Sequence, residues 1–493
     1  MADSFVAQAR HPITAARLTG LPPEFVGDDD RNTQANGDLT GLDKMNDFDD
    51  RIARVNATLR DEIGPTKVHF AGPGYEDARQ RIYNAGIDFA PRLVVTPERT
   101  ADVRAAVLAT VKHDVELSVL GGGNDWSGRS VRGDVVIDLT RMQQVLIDGD
   151  VAIVGGGATL AQLADVAEQY GLAAATGSMG RVGVVGLTLG GGYGPLTGRI
   201  GMALDNLLGA EVVLADGRVV STDADNEPDL FWALRGGGGN FGVVTTMRVQ
   251  LHPIPSVSAG TIAFPLDQAP DVLRRYGALV EQFPDELTET LGFQQSPDGG
   301  VLLVILHAWS GPESEDARVR DFVAGLGDPV LVQVQRQSPA QMLREVDTLL
   351  TVARSKLVCR TVTVPELSTE AIRIMVEAMK ERPSPLSYIG MHPFHGAPER
   401  IPLESTAFGI RQRHVLIGFF AMWEDGDDAE NRAWADANVA ALSAHALESA
   451  YPNYFGDDRP EQAAVAYGPN AGRLLRLKTR YDPNSVFRAI SLQ

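Results

Sequence analysis

Cysteine is all but missing: Cys359 is the single one in 493 residues. An internal disulfide and a thiolate metal cluster are thereby excluded, and the residue reads as a small buried hydrophobe. Histidine is scarce too, with nine in all. Only His392 and His395 stand close together, with no third ligand near them, so no metal site is expected. Nowhere do ~18 uncharged apolar residues run together, and no transmembrane helix is expected. The first residues, with Arg10 and His11 in a mixed polar stretch, lack the apolar core of a signal peptide, so the expected location is the cytoplasm. Positive charge is also short: 44 Lys and Arg against 64 Asp and Glu leave a net charge of −20. Nucleic acid and anionic membranes are not expected partners of such a chain.

What is present in quantity is glycine, and it is clustered. Leu120 closes a β-rich run and is followed by Gly121-Gly122-Gly123-Asn124-Asp125-Trp126-Ser127. Leu189 to Gly194 reads Leu-Gly-Gly-Gly-Tyr-Gly, and Arg235 to Val243 reads Arg-Gly-Gly-Gly-Gly-Asn-Phe-Gly-Val. Without a Cβ, such turns bring backbone amides close to a ligand, and successive N–H groups make a nest for phosphate. Three of them in one region suggest backbone wrapped around an extended phosphate-containing ligand. None has the strand–GxGxxG–helix setting of a dinucleotide fold or the terminal Lys-Ser/Thr of a P-loop. For Gly190-Gly191-Gly192, tight packing without a ligand is the competing reading.

The length allows two domains. Residues 1–64 are acidic, notably at Asp28-Asp29-Asp30, with a helix around Asp50–Leu59. From there to residue 255 short strands at 92–95, 117–120, 135–139, 151–154, 210–214 and 243–251 alternate with helices, two of which open on Thr100 and Thr159 as caps. Asp216-Gly217 reads as a hairpin turn. After residue 255 the glycine clusters stop. Strands are expected at 257–265, 300–308, 329–335, 358–364, 386–392 and 412–421, with helices at 268–283, 314–326, 339–350 and 368–381 and a long one over 425–449. Repeated strands with intervening helices suggest an antiparallel sheet covered by helices. The fold class is α+β.

The glycine clusters, Gly201 with Leu204-Asp205-Asn206, the run Asp229 to Arg235, Tyr451-Pro452-Asn453 and the segment Lys478–Phe487 stand in an order that resembles the berberine-bridge-enzyme-like flavoproteins. These belong to the larger family with the vanillyl-alcohol-oxidase, or PCMH-type, FAD-binding domain. The resemblance covers roughly residues 65–490. It implies an FAD-binding domain over 65–255, a substrate domain over 256–449 whose sheet roofs the flavin, and a return of 450–493 to the FAD domain. It implies cofactor contacts from Gly121, Gly122, Gly123, Asn124, Asp125 and Ser127, from Gly177, Ser178, Met179, Val182, Gly183 and Gly186, from Gly190, Gly191 and Gly192, and from Asn240, Gly242, Val243 and Asn453. Many relatives attach the flavin through a histidine in the first glycine loop and a cysteine before the second. Asn124 and Met179 stand at those positions here. Neither forms such a bond, so non-covalent FAD is expected. The tail departs as well: Phe487-Arg488-Ala489-Ile490 replaces a polar run, and plain packing is expected there.

Tyr451 is the leading candidate for chemistry, as the base that takes a proton while hydride leaves to the flavin; a buried tyrosine hydrogen-bonded to the backbone is the competing reading. In a strand, Asn453 would share its face; it could equally form a turn, since Pro452 separates the two. Tyr388, Gly390 and His392 alternate onto one face of a substrate-domain strand, and His392 offers a second base of near-neutral pKa. Satisfied packing is the competing reading for His392, as it is for Tyr193, Trp309 and Trp423, and a structural salt bridge is the competing reading for Arg411. The expected function is an FAD-dependent oxidoreductase on a small or medium organic molecule, for instance a secondary-metabolite intermediate. Dioxygen is the expected acceptor, and the chain a monomer or homodimer. The alternatives are a redox-neutral cyclase on the same scaffold and a catalytically degenerate flavin binder.

Overall fold

The computed structural model describes residues 39–492 apart from 89, 297, 350–354, 457, 458 and 460. The acidic run at Asp28–Asp30 lies outside the described residues. The helix expected around 50–59 spans Leu39–Glu62.

Three sheets follow. In the first, β1 (Val68–His69) pairs antiparallel with β2 (Leu93–Val95), and β2, β4 (Val135–Asp138) and β3 (Leu117–Leu120) run parallel. The fully buried run of β4 and the buried Leu93, Val94 and Val95 fit strands covered on both faces. The second sheet is antiparallel: β5 (Val145–Asp148), β6 (Val151–Gly155), β10 (Val243–His252), β8 (Leu207–Val213) and β9 (Val219–Asp223), in that order, with β7 (Ala173–Ala174) on β10. Its core packs the helices Leu160–Glu168 and Pro228–Leu234 together with the C-terminal helix Ala471–Tyr481. Thr159 caps the first of these with a reciprocal Gln162 bond. Thr100 is no cap: Arg99 occupies that position, and the Thr100 hydroxyl donates to Glu211 at 2.6 Å.

The third sheet has seven antiparallel strands in the order β14 (Leu331–Gln337), β11 (Val257–Pro265), β13 (Val301–Trp309), β12 (Leu287–Gln295), β16 (Tyr388–Phe394), β17 (His414–Trp423) and β15 (Lys356–Val364). One face carries Ile262, Phe264, Leu291, Phe293, Ile389, Ile417 and Phe419, and packs against helices Ala269–Leu279, Asp316–Ala324, Thr369–Lys380 and Asp428–Leu442. Strand β12 is absent from the sequence reading because Glu289 interrupts its apolar pattern. The carboxylate is buried there, 2.7 Å from Nδ1 of His307 on the neighbouring strand. Trp309 and Trp423 are core residues of this layer, and so is Cys359, whose thiol burial pushes up. No helix among the described residues is long and apolar enough to cross a membrane.

Candidate active site

The first glycine loop follows β3. Its backbone N–H groups from Gly121 to Asp125 find no acceptor among the described residues. Such groups are rarely left unpaired when buried, and a run of them is the signature of an anion nest. A Cβ on Gly121 would meet only Gly156 O, at 3.7 Å, and one on Gly186 would meet nothing within 4 Å. Open space thus lies in front of these two glycines. Gly122 differs: its Cβ would run into the Gly183 nitrogen, so here the loop presses backbone to backbone on residues 181–183. Asp125 holds the loop's far end. Its carboxylate accepts from Arg129 at 2.8 Å, Ser127 at 3.2 Å and the Ser130 N–H at 3.0 Å.

Asn124 and Met179 come together around one guanidinium. Arg181 Nε donates to Asn124 Oδ1 at 3.4 Å, and Arg181 Nη2 lies 3.5 Å from Met179 Sδ. The same guanidinium lies 5.2 Å from the Tyr83 ring centre. Gly180 N–H donates to Asp347 Oδ1 at 3.0 Å, tying this loop to the helix Pro339–Leu349. Gly177 makes ordinary contacts with Leu160 and Leu187, and the Val182 carbonyl is taken by Leu160 N–H at 2.9 Å.

The other glycine clusters have protein partners where cofactor contacts were expected. A Cβ on Gly190 would strike Asn453, and one on Gly191 would come within 2.5 Å of the Tyr451 ring. Gly192 has φ +99° and abuts Ala203. Gly190 and Gly191 thus admit the C-terminal segment and Gly192 admits Ala203, which is the packing alternative. In the third cluster, Gly236 makes room for Phe408, Gly238 for Ile490 and Gly242 for Val212 and Val213 of β8. Val243 pairs with Val213 in the second sheet. Asn240 donates to Gly237 O at 3.0 Å and accepts from Ile490 N–H at 3.1 Å. Its amide therefore clamps the tail rather than presenting to a ligand. The tail corner is also more than packing. Lys478 Nζ donates to Asn240 O, Asp482 and Phe487 O, at 2.8, 2.6 and 2.6 Å.

Tyr451 is buried with its hydroxyl accepting from two donors, Gly192 N–H at 2.8 Å and Asn453 Nδ2 at 3.0 Å. Asn453 reaches it from the 3-10 turn Pro452–Tyr454, the turn alternative rather than the strand, and also donates to Leu187 O at 3.0 Å. Burial raises the Tyr451 pKa above the ordinary tyrosine value, while both donors pull it down. The Tyr193 ring stands edge-on to Tyr451, with centroids 4.9 Å apart. Tyr193 is itself fixed by His414, a residue the sequence did not single out. His414 Nδ1 lies 2.7 Å from the Gln412 carbonyl and must carry the proton, so Nε2 accepts from the Tyr193 hydroxyl, also at 2.7 Å. Burial lowers the His414 pKa to about 4, which keeps the ring neutral.

Along β16, Tyr388, Gly390 and His392 share the face expected and keep some accessibility, whereas Ile389, Met391 and Pro393 are buried. The near-neutral pKa expected of His392 is not found: burial lowers it to about 4, which makes it a weak proton acceptor. Tyr388 stacks on Phe420 with centroids 4.5 Å apart, and burial raises its pKa well above the usual value. His395 lies off this face, buried beside Gly198. Arg411 answers the question left open for it. It pairs with buried Asp205 at 2.8 and 3.0 Å and reaches Thr406 at 2.9 Å. Replacing Arg411 with Met strands the Asp205 carboxylate, and a loss of about 3–5 kcal/mol in denaturant unfolding is expected. An unchanged midpoint would show the pair to be dispensable.

A loop of unpaired amides, a partly accessible sheet face and a buried tyrosine with two N–H donors are features that suit a flavoprotein of the oxidoreductase class. The comparisons with known proteins agree. Residues 91–223 match the FAD binding domain model and residues 450–490 the berberine and berberine-like model. The FAD-linked oxidoreductase aurO of Gibberella zeae is 30% identical over 446 residues, 88% of this chain and 86% of that one. The (R)-6-hydroxynicotine oxidase of Paenarthrobacter nicotinovorans is 31% identical over 437 residues, 84% of this chain and 93% of its own. Among solved structures, 6-hydroxy-D-nicotine oxidase from Arthrobacter nicotinovorans superposes with a TM-score of 0.77 at 25% identity, covering 86% of this chain and 97% of that one. The chain belongs to the berberine-bridge-enzyme-like family of FAD-linked oxidoreductases, and it is an FAD-dependent enzyme.

Proposed function

We propose that this enzyme oxidises a carbon bearing a hydroxyl or amine on a small or medium organic molecule, with FAD held non-covalently and Tyr451 as the base. The observation that carries the reading is the Tyr451 hydroxyl with its two N–H donors. Donors aimed at an oxygen stabilise it as negative charge develops there, most strongly where water is excluded. When bound, FAD would supply the two-electron acceptor for the substrate's hydride, with dioxygen as the final oxidant. Tyr451 Oη takes the proton that the substrate hydroxyl or amine releases as the double bond to carbon forms. Tyr193, locked by His414, holds the Tyr451 ring in place. Tyr388 and His392 line the substrate side; both are uncharged at neutral pH, and His392 stands 5.9 Å from Tyr193.

The cofactor residues follow from the same geometry. The free amides of Gly121–Asp125 suit a pyrophosphate, and Gly121 and Gly186 face open space that could take it. The loop from Ser178 through Val182 and Gly183, with Met179, lies along one side, and Asn124 adds a polar contact. An amide and a thioether at the two anchor positions provide no covalent link. Acid or heat denaturation is therefore expected to release all the yellow colour into the filtrate, whereas colour left on the precipitated chain would refute the non-covalent reading.

A further inference from the structure

Strand register places three glycines side by side. Gly292 of β12 pairs with Gly390 of β16, which pairs with Gly418 of β17. All three lie on the sheet face that carries Tyr388 and His392. The result is a strip three strands wide, ~10 Å across, with no side chains. Glycine inside a strand weakens it and marks close approach of a ligand or another backbone. Packing explains the two outer positions. A Cβ on Gly418 would meet the Phe420 ring at 2.6 Å, and one on Gly292 would meet the Ile389 carbonyl at 2.9 Å. It does not explain the middle one. A Cβ on Gly390 would make ordinary contacts only, 3.4 Å to Phe420 and 3.9 Å to Tyr388.

The walls of the strip have a definite chemistry. On one side is the parallel Tyr388–Phe420 stack; on the other are His392 and its register partner Leu416. Tyr454 stands edge-on to both Phe420 and Tyr451, which joins the strip to the proposed base. Thr290, next to Gly292 on the same face, also borders a small open pocket of about 40 Å³ shared with Ser178, Leu306, His307, Gln337 and Glu345. Flat rings gain from stacking and edge contacts with aromatic walls. A saturated sugar ring gains less from such walls and would depend instead on the polar groups at the strip's edges, Tyr388, His392 and Thr290.

We propose that the substrate of this enzyme carries a flat unsaturated ring that seats on the Gly292–Gly390–Gly418 strip. The inference rests on the oxidation reading above and narrows its substrate to an aromatic or heteroaromatic alcohol or amine. The test uses the FAD-loaded protein without oxygen and follows its visible absorption on addition of 4-hydroxybenzyl alcohol, 4-hydroxybenzylamine or xylobiose. The aromatic probes are expected to perturb or bleach the spectrum, and xylobiose to leave it unmoved. Gly390→Leu should weaken the aromatic response by ~10-fold or more with FAD content and melting temperature unchanged. Gly390→Ala, whose methyl group has room, should show a smaller loss and serves if the leucine variant does not fold. A response to xylobiose alone, aromatic binding unaltered in both variants, or FAD lost from a folded Gly390→Leu would each overturn the inference. Native protein that takes up no FAD would instead bring down the oxidation reading and this inference with it.

Discussion

Tyr451→Phe is expected to retain its full FAD content and to reduce that FAD ~10²-fold or more slowly in anaerobic stopped flow. The substitution removes one oxygen. It takes away the proton acceptor but leaves the ring, which keeps its edge contacts with Tyr193 and Tyr454. Some stability is lost too, since the Gly192 N–H and the Asn453 amide lose an acceptor. That loss is about 1–3 kcal/mol and is measured separately by melting, so a slow variant is not mistaken for an unfolded one. The pH dependence has a definite sign. Burial is the largest influence on Tyr451 and raises its pKa, so the base-competent form gains population as pH rises. Reduction should therefore speed up towards the alkaline side. Asn453→Leu removes a donor that favours the ionised hydroxyl, and the rising limb should move to higher pH. A Tyr451→Phe enzyme as fast as the native one would take Tyr451 out of the chemistry.

How far the sequence foretold this site differs from residue to residue. The open turn of the first glycine loop was legible because an array of unpaired amides needs glycine and little else. The proximity of Tyr451 and Asn453 to the second glycine cluster followed from their motif, and Pro452 decides for the turn between the two readings of Asn453. The second and third glycine clusters left more open. Glycine signals close approach without saying what approaches, and there the approaching groups are Tyr451, Asn453, Phe408 and Ile490. His414 gave no local sign, because its role depends on Tyr193, 221 residues away. The seven-stranded sheet was foreseen in kind, but β12 was hidden by Glu289, whose partner His307 lies across the hairpin. The glycine strip could not be read at all, since it exists only once three strands are in register.

Two adjacent glycines separate ligand space from backbone space, and their substitution should part accordingly. Gly121→Leu is expected to fold with little change in melting temperature yet to lose FAD binding ~10²-fold or more, read by equilibrium dialysis or flavin fluorescence. Its Cβ meets only Gly156 O, at 3.7 Å, so the added side chain extends into open space. In the present reading that space belongs to the cofactor, and filling it removes the close approach of oriented amides that an anion needs. Gly122→Ala acts oppositely. Its methyl group is driven into the Gly183 backbone, which cannot rotate aside as a flexible side chain would. Overpacking of this kind costs about 1–3 kcal/mol and should appear as a lower melting temperature before any FAD is added. The pair of measurements locates the nest independently of turnover. If Gly121→Leu binds FAD as the native chain does, the amides of Gly121–Asp125 serve some other anion, and the cofactor must be gripped elsewhere on the loops that meet Tyr451.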